Sequence, residues 1–467
     1  MPVYPRAKRR AQDDIKLFLS CTDDIIELYY LGYYAVMKRV ISLLLSVCLC
    51  YASTITLAAK HIIQPGAEQL PRYLPLLKNK RVAVFVNHTS YIGRTHLITT
   101  LLKQHIHISK IFTPEHGIYG NDEGTILNST DPKTGLPIIS LYGKKFKPSA
   151  EDLYDIDIIV FDIQDVGVRF YTYISSLQKL MEAAAENNKP LIILDRPNPN
   201  GFYIDGPVLE PQYRSFTGMQ PIPVVYGMTL GEYARMLVGE QWLKIKPKSL
   251  PLQLTVIPCA HYTHKSRYIP PIKPSPNLPS IQSIYWYPSI GLMEATALSV
   301  GRGTATPFQV FGHPRLRTAF TFTPQATVAS KSPLFKNKLC HGWNLAGTPE
   351  KTLKQINGQL RIQYLIRAYQ LFPDKKHFFA GFSASAGNTS LEKQIKAGMS
   401  EQQIRQTWQP QLNKFKKIRK KYLLYPDFNT VAPLRESPHP QNYNAAIPHL
   451  GHACAHSHDS HYHPRHH

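Results

Sequence analysis

Four carboxylates stand where the chain could use them for acid–base chemistry. Glu115 lies in Pro114-Glu115-His116-Gly117, directly after the β-rich run Ile108 to Thr113. A carboxylic acid in a partly desolvated cleft keeps its proton near neutral pH and can give it to a leaving-group oxygen. A helix-capping or salt-bridged glutamate is the plainer alternative. Asp162 and Asp165 share Phe161-Asp162-Ile163-Gln164-Asp165-Val166-Gly167. Such groups serve a sugar hydroxyl, a metal or a nucleophilic water, or else cap the following turn. Glu294 interrupts the apolar run Pro288 to Thr296, where an acid needs a partner or a purpose. Arg302 follows in Gly301-Arg302-Gly303-Thr304. It either closes an internal ion pair with Glu294 or, with Thr304, receives an anionic or hydroxylated ligand.

Polar residues that could bind a ligand cluster in the same way. Asn87 and His88, Glu115 and His116, and Asp195 and Arg196 each follow an apolar run. Arg169 could grip a carboxylate in a bidentate fork, or neutralise Asp162 or Asp165. His88 and His116 offer imidazoles, but nothing fixes a three-ligand spacing, so no metal site is assigned. Tyr285, Trp286 and Tyr287 could stack on a flat ligand or fill a core.

These residues need elements to position them. Arg81–Val86, Ile108–Thr113, Leu136–Leu141, Asp157–Ile163 and Pro190–Leu194 read as strands, and Leu252–Pro258 as another. Thr95–Gln104 and Tyr171–Glu186 read as helices between them. Continuous apolar strands alternating with helices indicate a parallel sheet covered on both faces. The class is α/β, with a Rossmann-like N-terminal domain. In such sheets ligands bind at the carboxyl ends of the strands, where the polar pairs fall. No Gly-x-Gly-x-x-Gly, phosphate loop, Gly-x-Ser-x-Gly or His-Glu-x-x-His occurs at the expected places, which weakens the nucleotide, serine-hydrolase and zinc-protease readings. The turn-rich stretch Gly201 to Gly218 reads as a domain boundary. Thr229, with Glu232 three residues on, has capping-box spacing for a helix to Val238. Leu292–Leu298 reads as a short helix and Glu401–Tyr422 as a basic one.

Composition bounds the class. The 467 residues hold Lys+Arg 54 against Asp+Glu 31, a net +23. A 43% hydrophobic content excludes a mainly disordered chain, and six cysteines make no disulfide scaffold. The charge admits an anionic partner, but it is not concentrated in a module that reads nucleic acid. Met37-Lys38-Arg39 followed by the apolar stretch Val40 to Tyr51 reads as a secretory signal peptide over 37–59. Residues 1–36 then read as upstream sequence from a wrongly chosen start. The apolar stretch is short for a membrane span, and neither Cys48 nor Cys50 follows a small residue, so no lipid anchor is expected; the mature product is expected to carry no integral membrane segment and to be periplasmic or secreted. Residues 429–467 read as a disordered, His-rich tail. The body divides into 60–205 and 206–428.

An ordered series of motifs carries a resemblance. It runs Asn87-His88-Thr89-Ser90, Pro114-Glu115-His116-Gly117, Phe161 to Gly167, Arg169-Phe170-Tyr171-Thr172-Tyr173 and Asp195-Arg196-Pro197-Asn198-Pro199. Gly206-Pro207, Tyr226 to Glu232, Pro276-Asn277-Leu278-Pro279, Ser299 to Thr304 and Lys420 to Tyr425 complete it. Over about residues 65–428 the chain resembles the exo-β-N-acetylmuramidase NamZ family, glycoside hydrolase family 171. The resemblance implies a Rossmann-like domain, a second, smaller α/β domain and an active cleft between them. It implies release of terminal, non-reducing β-1,4-linked N-acetylmuramic acid from peptidoglycan fragments, with no cofactor. Glu115 would be the general acid. Asp162, Asp165 and Glu294 are candidates for the second catalytic group. Asn87, His88, His116, Arg169, Tyr171, Asp195, Arg196, Asn277, Arg302 and Thr304 would line the substrate. The sugar's lactyl carboxylate would meet Arg169, Arg196 or Arg302. Met293-Glu294-Ala295-Thr296 departs from the family's Phe-Glu-Gly-Thr by an alanine, which lacks glycine's backbone freedom. The competing reading is a non-catalytic protein that binds peptidoglycan or muropeptides without turnover.

Overall fold

The computed structural model describes residues 29, 31–46, 62–120, 127–247, 249–428 and 441–443. The chain divides into two compact units, Met1–Ile62 and Ile63–His467. In the first unit, residues 31–46 are helical with exposed side chains. The upstream segment 1–28 and the expected cleavage region 47–59 lie outside the described residues. No described helix is long and apolar enough to cross a membrane.

The second unit is built on an eight-stranded sheet. Its body is six parallel strands: β1 (Val82–Val86), β2 (Ile108–Thr113), β3 (Pro137–Ser140), β4 (Ile158–Asp162), β5 (Leu191–Leu194) and β6 (Leu254–Ile257). Their spatial order is β3-β2-β1-β4-β5-β6. That is the doubly wound order, and it reverses between β1 and β4. Val82 pairs with Ile158 and Val86 with Asp162, so the two strands at the reversal end level.

Alternation explains why β1, β4, β5 and β6 are buried on both sides. Ala83, Phe85, Phe112, Ile159, Phe161, Leu191 and Ile193 face one core. Val82, Val84, Val86, Ile111, Val160, Ile192 and Leu194 face the other. The helix α1 (Leu97–Lys103) covers the second face through Leu97, Ile98 and Leu101. The helices α2 (Tyr173–Glu186) and α3 (Leu230–Gly239) cover the first.

The capping box of α3 forms as its spacing predicts. The Glu232 amide donates to Thr229 Oγ1 at 3.3 Å, and the Thr229 amide donates to Glu232 Oε2 at 2.9 Å. Thr229 Oγ1 also donates to the buried Asp195 Oδ2 at 2.6 Å. Thr229→Ala is therefore expected to destabilise the fold by about 1–2 kcal/mol in chemical denaturation, the upper part of the usual cap range. A loss below about 0.3 kcal/mol would mean that the cap does not anchor α3.

Two sequence readings are corrected here. The boundary at 205/206 does not end the first domain, because β6 at Leu254–Ile257 completes its parallel sheet. The turn-rich stretch is no linker. Asp205–Val208 is fully buried and pairs with Pro223–Val225 in an antiparallel ribbon. Its turn residues serve close packing: Gly206 has φ +92, and a Cβ there would meet Val224. Within 429–467, Gln441–Tyr443 pairs antiparallel with β6 as an edge strand. The rest of the His-rich tail lies outside the described residues.

The remaining chain adds α4 (Ile281–Ile290), which runs into a 3-10 turn at Gly291–Ala295. A three-stranded antiparallel sheet follows, ordered Val310–His313, Cys340–Asn344, Phe320–Phe322. The long α5 (Glu401–Lys420) packs on Asp205–Val208. Arg405 reaches Asp205 at 2.7 Å, and Arg419 Nε donates to the Gly227 carbonyl at 2.8 Å, so the last helix clasps the first domain.

Candidate active site

Four loops meet at the carboxyl end of the sheet. After β1, the Asn87 carboxamide oxygen accepts from the Thr89 amide and hydroxyl at 2.9 and 2.6 Å. Thr89 Oγ1 accepts in turn from the Gln164 amide after β4 at 3.0 Å. Asn87 Nδ2 donates to the Tyr173 hydroxyl at 3.0 Å, tying the loop to the start of α2. His88 Nε2 lies 2.9 Å from the Lys273 carbonyl, so that nitrogen carries the proton. Burial pulls the His88 imidazole down to about 4. The ring is neutral at pH 7, and its Nδ1 is buried without a partner.

Glu115 follows β2 on a contorted turn. His116 has φ +70 and Gly117 φ +67, two left-handed residues in succession. A non-glycine residue in that region stores strain that the surroundings must enforce. Glu115 is half-buried. Its Oε2 accepts from Thr172 Oγ1 at 3.2 Å, and its carboxylate also accepts from the Tyr142 hydroxyl. Burial, and then the Glu115 charge, raise the Tyr142 phenol well above its ordinary value, so it remains a donor. Sequence reasoning missed Tyr142 and Thr172 as partners. Thr172 sits inside the quoted Arg169–Tyr173 motif, but Tyr142 carries no spacing that marks it out.

The other acids are placed differently. Asp162 is 0% exposed and locked to Arg196, with Nε–Oδ1 at 2.5 Å and Nη2–Oδ2 at 2.9 Å. Arg196, not Arg169, neutralises it. Asp165 is buried beneath the loops. Its Oδ2 accepts from the Gly167 amide at 2.7 Å and from the Tyr226 hydroxyl, which is the turn-capping alternative, while Oδ1 has no partner. Burial lifts its carboxyl to about 6 despite those two donors. Asp195 is also lifted to about 6 by burial, and it binds Thr229, Gly231 and Tyr425. Arg169 is 1% exposed and donates to the carbonyls of Pro207, Ile222 and Ser385. It staples three segments together, and desolvation brings its guanidinium down to about 9.

Asp165 carries a pH prediction. Its folded value of about 6 exceeds the ordinary 3.8, so the folded state holds the proton more tightly than the unfolded chain. Stability from this group falls as pH rises through that window and levels off above it. The stability of the wild type relative to Asp165→Asn should therefore drop by up to about 3 kcal/mol between roughly pH 4 and 7. A difference independent of pH, in denaturation curves across that range, would contradict the assignment.

Loops from the second half close over these residues. Tyr171 donates to the Pro274 carbonyl at 2.8 Å, and with His88 it holds the Pro270–Pro279 segment. In that segment Asn277 is buried and donates to the Ala329 carbonyl at 2.8 Å. Glu294 and Arg302 form the ion pair that their spacing allowed, at 2.7 Å, with side chains 33% and 38% exposed. Burial opposes the Arg302 charge, yet Glu294 outweighs it and holds the guanidinium above its ordinary value. Thr304 Oγ1 donates to the Gly301 carbonyl at 2.7 Å, closing its own turn. Ala295 ends the 3-10 turn without a positive φ, so the missing glycine costs no strain. Tyr285 and Trp286 pack in the core. Tyr287 packs in the same core; burial first, then the Glu294 charge, raise its phenol, and Arg302 lowers it. Of the three arginines expected to meet an anion, Arg302 is the one at a solvent-facing position.

Comparison with known proteins agrees with this architecture. Residues 82–282 match the model described as exo-beta-N-acetylmuramidase NamZ, N-terminal, and residues 285–425 match its C-terminal counterpart. The junction between the two models follows β6, as the sheet requires. Peptidoglycan beta-N-acetylmuramidase NamZ of Bacillus subtilis is 37% identical over 392 residues, covering 79% of this chain and 92% of the relative. Two crystal structures of DUF1343 family proteins from Bacteroides fragilis are also similar. One has 46% identity and a TM-score of 0.71, the other 30% and 0.63; each comparison covers 78% of this chain and 99% of the other. On matches to both domains and across most of its length, the chain belongs to the exo-β-N-acetylmuramidase NamZ family.

Proposed function

We propose that the protein is a glycoside hydrolase that releases N-acetylmuramic acid from the non-reducing ends of peptidoglycan fragments. The observation that carries this reading is Glu115. It is a half-buried carboxyl at the carboxyl end of β2, held by two hydroxyl donors. The relative in Bacillus subtilis supports the substrate class by its name.

In this reading Glu115 gives its proton to the glycosidic oxygen as the bond to the anomeric carbon breaks. The carboxylate left behind accepts hydrogen bonds from Tyr142 and Thr172, which stabilise it as it forms. Glu294 takes the second role, facing the oxocarbenium-like centre or the water that completes hydrolysis. It is the acid among the three remaining candidates that solvent reaches, since Asp162 is locked to Arg196 and Asp165 is buried. Arg302 offers positive charge to the lactyl carboxylate. Export through the segment beginning at Met37 would bring the enzyme to the cell wall.

The test is to incubate the protein with a β-1,4 disaccharide carrying N-acetylmuramic acid at the non-reducing end. Release of that sugar supports the reading. Binding without release supports a peptidoglycan-binding protein instead.

A further inference from the structure

Beside Glu115 lies a group of aromatic rings that neither hydrophobic core uses. Tyr142 and Phe146 follow β3, and Phe216 comes from the segment before Pro223. The Phe146 and Phe216 ring centres are 4.3 Å apart, tilted by 42°. Tyr142 lies 5.8 Å from Phe146, nearly edge-on, and 6.3 Å from Phe216. Phe146 is 36% exposed, and the other two rings are half-buried. Packed rings left open to water are unusual for a loop with no core to complete. The Tyr142 hydroxyl bonds Glu115, so this surface begins one hydrogen bond from the candidate acid.

Direction follows from the chemistry. A general acid protonates the oxygen that departs with the leaving group, so it stands on the leaving side of the bond. A β-linked pyranose presents axial C–H groups on its faces, and their partial positive charge suits the negative face of an aromatic ring. We propose that Tyr142, Phe146 and Phe216 form the platform that holds the leaving-side pyranose of the substrate. This rests on Glu115 acting as the acid. Tyr142 then has two tasks: its hydroxyl orients the carboxyl, and its ring begins the platform. An exo-acting enzyme needs such a hold, because its substrate extends away from the cleft only on that side.

The experiment is steady-state hydrolysis of N-acetylmuramic acid–β-1,4–N-acetylglucosamine by wild type, Phe146→Ala, Phe216→Ala and Phe146→Leu. Free N-acetylmuramic acid, which reports on the opposite side of the bond, is titrated as an inhibitor in parallel. Each alanine variant is expected to raise KM about tenfold, the size of one lost stacking contact, with the inhibition constant held within about twofold. Phe146→Leu should keep most of the defect, because it restores apolar bulk without a π-face. An unchanged KM overturns the platform. KM and inhibition constant rising together overturn it too, since the rings would then be shaping the whole cleft. Recovery in Phe146→Leu overturns stacking in favour of simple packing. If the wild type releases no sugar, the proposed function itself fails and the platform with it; the other outcomes leave that function standing.

Discussion

Glu115→Gln is expected to lower kcat for muramide hydrolysis by about 10²–10⁴-fold, the range attributed to a positioned general acid. Glutamine keeps the shape of the side chain and can still accept from Thr172 and Tyr142, but it has no proton of the right acidity to give. The fold should be little affected, because Glu115 is half-buried and held by two hydroxyl donors, from which glutamine's carboxamide oxygen can still accept. KM should move much less than kcat, since the lost interaction belongs to the transition state. The check is kcat and KM on a defined disaccharide beside the thermal midpoint. Wild-type turnover in the variant would remove Glu115 from the chemistry, and a collapse of the midpoint would recast it as a structural residue.

The largest effect on stability is expected at Asp162. Asp162→Ala leaves the Arg196 guanidinium, 5% exposed, with its charge buried and only the Tyr91 carbonyl at 3.0 Å still bonded. Breaking one side of a buried pair costs about 3–5 kcal/mol, chiefly the desolvation of the orphaned charge. Replacing both partners together, as Asp162→Leu with Arg196→Met, should cost clearly less than the single change, because no charge is then stranded. Denaturant unfolding of the three proteins measures this. The pair joins the ends of β4 and β5 at the floor of the site, so its loss would also loosen the loops that carry Asn87 and Asp165. A single variant as stable as the wild type would mean that Asp162 is free for some other use.

The strands β1 to β6 were legible because each is a short apolar run bounded by turn residues, of strand rather than helix length. The carboxyl-end positions of Asn87, Glu115, Asp162 and Asp195 followed from them. The capping box at Thr229 was legible because its geometry is local, as was the option of a Glu294–Arg302 pair. Contacts between distant segments were not. Asp162 finds its arginine 34 residues away across the sheet, and nothing in spacing favours Arg196 over Arg169. The domain boundary misled for a related reason: glycines and prolines signal turns, and here the turns are buried and hold a ribbon together. Helix α4 escaped because it is buried on every side, which erases the amphipathic period, and Pro288 lies within it. Tyr142 was invisible as a partner of Glu115 because one aromatic in a loop looks like any other.

The central claim is tested most directly by following the products of a short β-1,4 glycan with N-acetylmuramic acid at its non-reducing end, incubated with the purified protein. Free N-acetylmuramic acid should be the first product, with the remaining chain one sugar shorter and no internal fragments. Internal fragments, or a glycan that binds yet stays intact, would contradict an exo-acting muramidase.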